Sequence, residues 1–252
     1  MLSVVHLNHN KEFHAGIEAF SDDGVRFLFL PVAPGKSAAN SDAISDGLMP
    51  DVPRFQEDDP GLSHQSQQIL KSITHPARRQ EFLCARYLVR FATGLAVDPP
   101  RDSEGLIQWP DGLCGSVSHS LGDVLVATAP LTACRSIGVD IERQSRVSEK
   151  LSEKLCTATD LRFLASEEVS LAEVFAAKEA LFKCHYPLGR RRFWFLDAEI
   201  VSVKVYSGVK NLEVRALIDT SPLTPANSIT GVKILPLQAN GLVLAIARII
   251  TA

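Results

Sequence analysis

The chain has 252 residues, of which 46% are hydrophobic and 22% charged. This composition supplies a buried core for one large domain or two small ones and excludes a largely disordered chain. The net charge of −3 excludes a general attraction to nucleic acid or to an anionic membrane, so that any anion site must be local.

The cysteines are odd in number and widely spaced, with no C-x-x-C pair: Cys84, Cys114, Cys134, Cys156 and Cys184. This pattern predicts neither a disulfide framework nor a zinc knuckle, and it fits a reducing cytoplasm. The sequence shows neither a signal peptide nor an apolar run of the about 18 residues that a membrane span requires. We therefore expect a soluble cytoplasmic protein, and a monomer.

The first third of the chain contains few motifs. His6, His9 and His14 have no matching second ligand cluster, so we interpret them as surface or loop histidines. Residues 24–32 form a short apolar run that predicts a buried strand. Residues 33–63 are rich in Ala, Ser, Asp, Pro and Gly, which predicts a long loop that is flexible or covers a site.

Residues 74–91 predict a helix, with Thr74 as its cap and Gly94 as its end. Its arginines are spaced seven and four residues apart and fall on one stripe within about 40° of arc. These arginines are Arg79, Arg86 and Arg90. A basic stripe of this kind is usually a solvated helix face.

Residues 109–119 read W-P-D-G-L-C-G-S-V-S-H and follow a connection punctuated by Pro and Gly. A lone histidine such as His119 after a strand of small residues is more often structural than catalytic. Ser118 lacks the G-x-S-x-G elbow of a serine hydrolase. Residues 123–129 then predict a β-strand.

The run 138–142, G-V-D-I-E, places two carboxylates inside an apolar stretch. In a strand, Asp140 and Glu142 share one face while Val139 and Ile141 pack behind them. Two adjacent anions repel each other, and a hard divalent cation with oxygen ligands would relieve that repulsion. The alternative is an edge strand whose outer face is solvated.

Residues 175–183, F-A-A-K-E-A-L-F-K, predict a helix that a capping box at 170–173 begins. At about 100° per residue, Glu179 and Lys183 lie on one stripe and Lys178 lies about 100° away. By themselves, Glu179 and Lys183 form an i,i+4 pair of a common and weak kind. The following run of Arg190, Arg191 and Arg192 is interpreted as a basic loop, and three strands are predicted over 199–206, 212–218 and 242–250.

Taken together and in this order, the motifs resemble those of the 4′-phosphopantetheinyl transferase superfamily, in its larger two-lobed type. That family has a basic helix R-x-x-E-F-x-x-G-R, a Ser-His turn, a G-x-D-x-E strand and a helix with W-x-x-K-E-A or F-x-x-K-E-A. The resemblance covers most of residues 74–200. The chain departs from the pattern at Ala85, where the family usually has glycine.

The resemblance implies an α+β fold of two pseudo-symmetric subdomains, each a helix packed on a small antiparallel sheet. Residues 1–135 would form the N-terminal subdomain, with the basic helix and the Ser-His turn. Residues 136–252 would form the C-terminal subdomain, with the G-x-D-x-E strand and the K-E-A helix. The active site would lie in the cleft between them.

The resemblance also implies ligands and residue roles. Mg²⁺, or Mn²⁺ in its place, would be held by Asp140, Glu142 and Glu179, a set of oxygen ligands that suits a hard ion. Catalysis would use Glu179 as the base, directly or through a metal-bound water, together with Lys183 and His119. Coenzyme A would be the co-substrate, bound by Arg79, Arg86, Ser118, His119 and Lys183, and Arg78 is the alternative to Arg79.

The implied reaction transfers the 4′-phosphopantetheine arm from coenzyme A to a serine of an apo acyl- or peptidyl-carrier protein, or of a carrier domain of a synthase. Adenosine 3′,5′-bisphosphate leaves. Two alternatives stay open: a metal-dependent phosphodiesterase or pyrophosphatase acting on similar substrates, and a non-catalytic module that binds carrier proteins. The carrier's pathway, whether siderophore, polyketide, peptide or fatty-acid synthesis, stays open too. The chain has neither a Walker loop nor a Rossmann fingerprint, which argues against nucleotide-driven and hydride chemistry.

Overall fold

The computed structural model describes residues 3–4, 18–22, 24–30, 56–237 and 241–251. The interpretation of His6, His9 and His14 therefore lies outside the described residues, as does most of the predicted loop at 33–63. From residue 56 the chain makes a turn and enters a helix that the sequence did not predict, α1, His64–Ser72.

The first sheet is antiparallel, and its five strands lie in the order β1-β2-β3-β5-β4. Its strands are β1 Ser3–Val4, β2 Glu18–Asp22, β3 Val25–Leu30, β4 Leu113–Ser120 and β5 Asp123–Pro130. The strands predicted over 24–32 and 123–129 are confirmed as β3 and β5. β4 and β5 form a hairpin in which His119 is opposite Val124, so His119 lies beside the turn.

The predicted basic helix is α2, Pro76–Thr93, and it covers one face of the first sheet. Gly94 ends it in the left-handed conformation, with φ of 70°, where a side chain would be strained. The prediction that Thr74 caps it is wrong. The N-cap is His75, without a side-chain cap bond, because Pro76 already occupies the first turn and has no N–H to satisfy.

The second sheet is also antiparallel, with the order β6-β10-β9-β8-β7. Its strands are β6 Cys134–Arg143, β7 Ala198–Tyr206, β8 Val209–Ala216, β9 Ile229–Leu237 and β10 Leu242–Ile250. The three strands predicted in this region are confirmed as β7, β8 and β10, whereas β9 was not predicted. The chain changes sheets at residues 131–133, so the predicted boundary between residues 135 and 136 falls inside β6.

The second half also contains the short helices α3 Ser152–Leu155 and α4 Ala158–Ala165 and the long helix α5 Leu171–Gly189. The capping box predicted at the start of α5 is present, formed by Ser170 and Glu173. None of the helices among the described residues is long and apolar enough to cross a membrane.

The α+β class with two small antiparallel sheets is thus confirmed, and α2 and α5 each cover one sheet. A third apolar cluster joins the sheets and includes Val139 and Ile141 of β6. Because side chains alternate along a strand, Gly138, Asp140 and Glu142 face the other way, towards α5. A Cβ at Gly138 would collide with the backbone of α5, so this glycine allows the helix to lie directly on β6.

Candidate active site

A cavity of about 420 Å³ opens where β4, β6 and α5 meet. Its lining includes the predicted site residues of all three elements: Ser118 and His119 from β4, Asp140 and Glu142 from β6, and Glu179 and Lys183 from α5. Phe175 also lines the cavity, as expected from its position one turn before Glu179. The structure therefore brings together three motifs that are far apart in the sequence.

Asp140 is buried, and the two oxygens of its carboxylate have different surroundings. Oδ1 accepts hydrogen bonds from Ser118 Oγ at 2.7 Å and from Lys183 Nζ at 2.7 Å. Oδ2 is buried and has no hydrogen-bond partner within the described part of the chain. A buried carboxylate oxygen without a partner is unfavourable unless a ligand satisfies it.

The Glu142 carboxylate is also buried, with 7% exposure. Its Oε1 accepts hydrogen bonds from Ser120 Oγ at 2.9 Å and from the backbone N–H of Arg143 at 2.8 Å. The two carboxylates of β6 are thus each held by a serine of β4.

Glu179 faces these two carboxylates from α5. Burial raises the pKa of Glu179 above the ordinary value of a glutamate. The charge of Lys183 lowers that pKa, while the charges of Asp140 and Glu142 raise it further, and the net shift is upward. Glu179 therefore keeps a proton at a higher pH than an exposed glutamate, which is a property of carboxylates that transfer protons.

His119 stands at the rim of the cavity, with its side chain 55% exposed. Its Nδ1 is 3.3 Å from Oε2 of Glu81 on α2, and Oε1 of Glu81 accepts a hydrogen bond from Gly122 N at 2.8 Å. The pKa of His119 lies below the ordinary value of a histidine, chiefly because of burial. The charge of Glu81 raises this pKa, and the charges of Lys183 and Arg78 lower it. The arginine of α2 whose charge acts on His119 is therefore Arg78.

Arg79, which the resemblance implied as a ligand of coenzyme A, is engaged elsewhere. Its Nη1 donates to the carbonyls of Leu70 at 2.6 Å and Ile73 at 2.8 Å, at the end of α1, and it pairs with Glu57. These bonds satisfy the last carbonyls of α1. Arg79 is thus engaged within the protein, and the choice between Arg78 and Arg79 as a ligand of coenzyme A stays a prediction.

Arg86 is likewise turned inwards and not towards a ligand. It is 1% exposed, forms a buried ion pair with Asp98 and donates to the carbonyl of Pro99. Asp98 also accepts from Ser66 Oγ at 2.7 Å, so Arg86 ties α2 to α1. The implied binding role of Arg86 thus needs correction, because the charge of its guanidinium is already balanced inside the protein.

The Ser118 side chain has no free hydrogen-bonding capacity. A hydroxyl has one donor and two acceptor sites. Ser118 Oγ donates to Asp140 and accepts from Ile141 N at 3.2 Å and from Lys183 Nζ at 3.2 Å. Ser118 thus orients Asp140 and Lys183, and its implied role as a coenzyme A ligand stays a prediction.

Lys178 lies away from the cavity, as its helical angle predicts. Its Nζ pairs with Asp160 at 2.5 Å and donates to the carbonyls of Leu155 and Phe195. Asp160 is fully buried and also accepts from Ile200 N at 2.7 Å. This buried pair anchors α5 against β7 and α4, which is a structural function.

The donor set of the cavity fits a hard cation. It contains three carboxylates and no cysteine, and the unpartnered Oδ2 of Asp140 provides a vacant oxygen ligand. Among the described residues, no three His, Cys, Asp or Glu side chains are already gathered as a metal centre. In this arrangement Lys183 balances the charge of Asp140. The metal assignment therefore stays a prediction.

Three polar residues of the site were not predicted from the sequence. Ser120 could have been found from its position two residues after Ser118, because alternate residues of a strand share a face. Glu81 is the glutamate of the R-x-x-E-F motif, but its contact with His119 was not predicted because the two residues are distant in sequence. Arg146 lines the cavity from the segment after β6, and nothing in its local pattern indicates this.

Three carboxylates, a lysine and a histidine thus line one open cavity. Comparison with known proteins identifies the family. The model of the 4′-phosphopantetheinyl transferase superfamily matches residues 136–214, and that of the 4′-phosphopantetheinyl transferase N-terminal domain matches residues 64–129. The chain belongs to the 4′-phosphopantetheinyl transferase superfamily.

Three relatives are named as 4′-phosphopantetheinyl transferases. The chain is 29% identical to the 4′-phosphopantetheinyl transferase Npt of Nocardia iowensis, over 55% of this chain and 65% of that protein. It is 28% identical to PptT of Mycobacterium tuberculosis, over 66% of this chain and 78% of that protein. It is 30% identical to Svp of Streptomyces mobaraensis, over 50% of this chain and 55% of that protein.

Among solved structures, the chain is similar to the holo-[acyl-carrier-protein] synthase of Thermotoga maritima. The TM-score is 0.35 and the sequence identity 20%, over 46% of this chain and 64% of that one.

Proposed function

We propose that the protein transfers the 4′-phosphopantetheine arm of coenzyme A to a serine of an apo acyl- or peptidyl-carrier protein or carrier domain, releasing adenosine 3′,5′-bisphosphate. The observation that carries this proposal is the convergence of Asp140, Glu142, Glu179 and Lys183 on one cavity. The family of the chain and the names of its relatives support the reaction class.

In the proposed reaction, the serine Oγ of the carrier attacks the phosphorus that bears the pantetheine arm. An Oγ–P bond forms, and the P–O bond to the nucleotide breaks. The serine proton passes to Glu179, whose pKa burial raises above the ordinary value of a glutamate, so that it is a stronger base than an exposed carboxylate. Glu179 lies against the cavity on α5, where an acceptor could approach from solvent.

Cationic side chains would stabilise the phosphates. Lys183 lines the cavity one turn beyond Glu179 and would contact the pyrophosphate and the departing nucleotide. His119 would donate a hydrogen bond to a phosphate from the β4 side. Arg78, whose charge acts on His119, is proposed as the partner of the 3′-phosphate in place of Arg79 and Arg86.

Asp140, Glu142 and Glu179 would hold Mg²⁺, or Mn²⁺ in its place. When bound, the ion would neutralise the negative charge that accumulates on the pyrophosphate oxygens. The support for this assignment is the oxygen-only donor set and the unpartnered buried Oδ2 of Asp140.

We further propose that the two sheets are the two subdomains of a monomer, divided near residues 131–133, with the cavity at their junction. The proposed compartment is the cytoplasm. The five cysteines are buried and unpaired, which is the usual state of thiols in a reducing environment.

The direct test is incubation of the protein with coenzyme A, Mg²⁺ and a panel of apo carrier proteins, followed by mass spectrometry. The expected result is a gain of one phosphopantetheine arm on a carrier, and no gain on the same carrier with its acceptor serine replaced by alanine. Hydrolysis of coenzyme A without an acceptor would instead identify a phosphodiesterase or pyrophosphatase. If the protein binds carriers but no carrier of the panel gains the arm, the protein is a binding module.

A further inference from the structure

Three serines of β4 face β6 across the boundary between the two sheets. They occupy alternate positions, Ser116, Ser118 and Ser120, and all three are buried. β6 pairs with β10 along its other edge, whereas no backbone ladder joins it to β4. Serine hydroxyls thus make the hydrogen bonds that a neighbouring strand would otherwise provide.

The three hydroxyls have different partners. Ser116 Oγ accepts from the backbone N–H of Val139 at 3.1 Å. Ser118 Oγ accepts from the backbone N–H of Ile141 and donates to the Asp140 carboxylate. Ser120 Oγ donates to the Glu142 carboxylate at 2.9 Å. Ser120 Oγ also accepts from Arg146 Nη1 at 3.5 Å, and Ser118 Oγ accepts from Lys183 Nζ at 3.2 Å. Of the three hydroxyls, Ser118 and Ser120 therefore contact a carboxylate, and Ser116 does not.

We propose that Ser120 is a positioning residue for the cation site, because it orients Glu142 across the boundary between the sheets. The inference rests on the proposed function, in which Glu142 is a ligand of the cation. Ser120 is fully buried and Glu142 is 7% exposed, so their hydrogen bond is largely shielded from solvent. This bond and the one from the Arg143 N–H both go to Oε1, so Oε2 of Glu142 is the proposed ligand of the cation.

This arrangement fixes the geometry of the site by the packing of the two sheets. Asp140 and Glu142 come from one sheet, and the hydroxyls that orient them come from the other. Hydrogen bonds from a second layer of residues to ligating carboxylates raise metal affinity, and their loss typically costs about 10- to 100-fold.

The test compares Ser120→Ala with the matched control Ser116→Ala. This control removes another buried hydroxyl of β4 that bonds to β6 but contacts no carboxylate. Mn²⁺ affinity of the full chain is measured by electron paramagnetic resonance of the free ion, without coenzyme A or carrier. We expect Ser120→Ala to weaken Mn²⁺ binding about 10- to 100-fold. Ser116→Ala should lower the melting temperature and leave the affinity within about twofold, because it removes only a backbone contact.

Ser120→Thr keeps the hydroxyl and serves as the conservative variant, which should restore most of the affinity if Ser120→Ala loses it. If Ser120→Ala fails to fold, as seen by circular dichroism, Ser120→Cys offers a side chain of similar size with a weaker donor and should show an intermediate loss. Equal Mn²⁺ affinity of Ser120→Ala and the unmodified protein would overturn the inference, and so would equal losses in Ser120→Ala and Ser116→Ala.

Failure of the proposed function is distinguishable from failure of this inference. If no carrier gains the arm but Mn²⁺ affinity depends on Ser120, the positioning role stands and the transfer reaction falls. If a carrier gains the arm and Mn²⁺ affinity is independent of Ser120, the transfer reaction stands and the positioning role falls. Absence of Mn²⁺ binding by the unmodified protein would overturn the positioning role.

Discussion

Lys183 Nζ lies 2.7 Å from Asp140 Oδ1, so an ion pair joins the centre of α5 to the centre of β6. Lys183 is 26% exposed and Asp140 8% exposed at their side chains, so the pair is partly screened from solvent. A cation that binds Asp140 would compete with Lys183 for the same carboxylate. Lys183 would then be free to turn towards a phosphate, which links ligand binding to the release of this ion pair.

Replacement of Asp140 by asparagine tests the centre of the proposed site. We expect Asp140→Asn to lower the transfer rate more than about 100-fold, because an amide is a poor ligand for a hard cation. The fold should persist, since the amide keeps the size of the side chain. The rate is measured by mass spectrometry of the carrier and the fold by thermal melting.

The control is Asp111→Asn, at an exposed aspartate outside the cavity, which should retain the unmodified rate. An undiminished rate for Asp140→Asn at saturating Mg²⁺ would contradict the assignment of Asp140 as a metal ligand.

Replacement of Glu81 by glutamine tests its contact with His119. Glu81 raises the pKa of His119, so removing its charge should lower that pKa further below the ordinary value of a histidine. The His119 titration can be followed by NMR of its ring. We also expect a rise in KM for coenzyme A, by about tenfold, because the ring loses the partner that orients it.

The matched control for Glu81→Gln is Glu168→Gln, at an exposed glutamate, which should leave the His119 titration unchanged. An identical titration midpoint in Glu81→Gln and the unmodified protein would show that the 3.3 Å contact has no electrostatic effect.

The arginines of α2 should fall into two classes. Arg78→Ala should weaken the binding of coenzyme A while leaving the binding of its 3′-dephospho form unchanged, because Arg78 is exposed and acts on His119. Arg86→Ala should lower the free energy of unfolding by about 3–5 kcal/mol, because it leaves the buried Asp98 without its cationic partner. Binding is measured by calorimetry and unfolding by denaturant titration. Selective loss of 3′-phosphate recognition in Arg86→Ala, without destabilisation, would restore the original assignment.

Local patterns in the sequence were sufficient to predict most elements of the second sheet and both long helices. Gly94 marks the end of α2, and the capping box at Ser170 marks the start of α5, because each has a specific backbone requirement. β9 was missed because its turn-rich approach and its Gly231 and Pro236 weaken the strand pattern. Its place is fixed by pairing with β8 and β10, which no local pattern records.

In the candidate site, too, features that depend on local geometry were predicted and features that depend on distant partners were not. The shared face of Asp140 and Glu142 follows from strand geometry, and the shared stripe of Glu179 and Lys183 follows from helix geometry. The orientations of Arg79 and Arg86 could not be predicted, because their partners are the end of α1 and Asp98, which become neighbours only in the folded chain. A basic stripe on a helix therefore does not reveal which of its arginines face solvent.

His185 should make the stability of the protein depend on pH. Its ring is fully buried between Thr220 Oγ1, at 2.7 Å, and Thr230 Oγ1, at 2.9 Å. Burial lowers the pKa of His185 to about 4. Because the pKa in the folded state lies below the unfolded value, the stabilisation is present above the ordinary pKa of histidine and is lost as the pH falls towards about 4.

The expected loss between pH 6.5 and 4 is about 3 kcal/mol from this group, at about 1.4 kcal/mol for each pKa unit. Denaturant unfolding across this range measures it. His185→Gln should be less stable at pH 7 but should show a flatter dependence on pH. The control His64→Gln, at an exposed histidine, should keep the slope of the unmodified protein, and an unchanged slope in His185→Gln would contradict the assignment.

The ionised form of Glu179 that the proposed function requires should destabilise the folded protein. Its pKa is raised by burial and by Asp140 and Glu142, so ionisation of Glu179 destabilises the folded state. For a pKa that is raised on folding, the stabilisation is complete below the unfolded value and is lost as the pH rises through the folded value. Glu179→Gln removes this ionisation, so the variant should melt at the same temperature as the unmodified protein near pH 4 and at a higher temperature near pH 8.

The expected gain at pH 8 is about 2–4 °C, the shift that about 1 kcal/mol produces in a chain of this size. The control Glu149→Gln, at an exposed glutamate, should show no such divergence. Addition of Mg²⁺ should raise the melting temperature of the unmodified protein but not that of Glu179→Gln, because only the carboxylate gains a cation to balance its charge. A Glu179→Gln variant that melts below the unmodified protein at pH 8 without Mg²⁺ would show that the Lys183 charge outweighs the repulsion from β6.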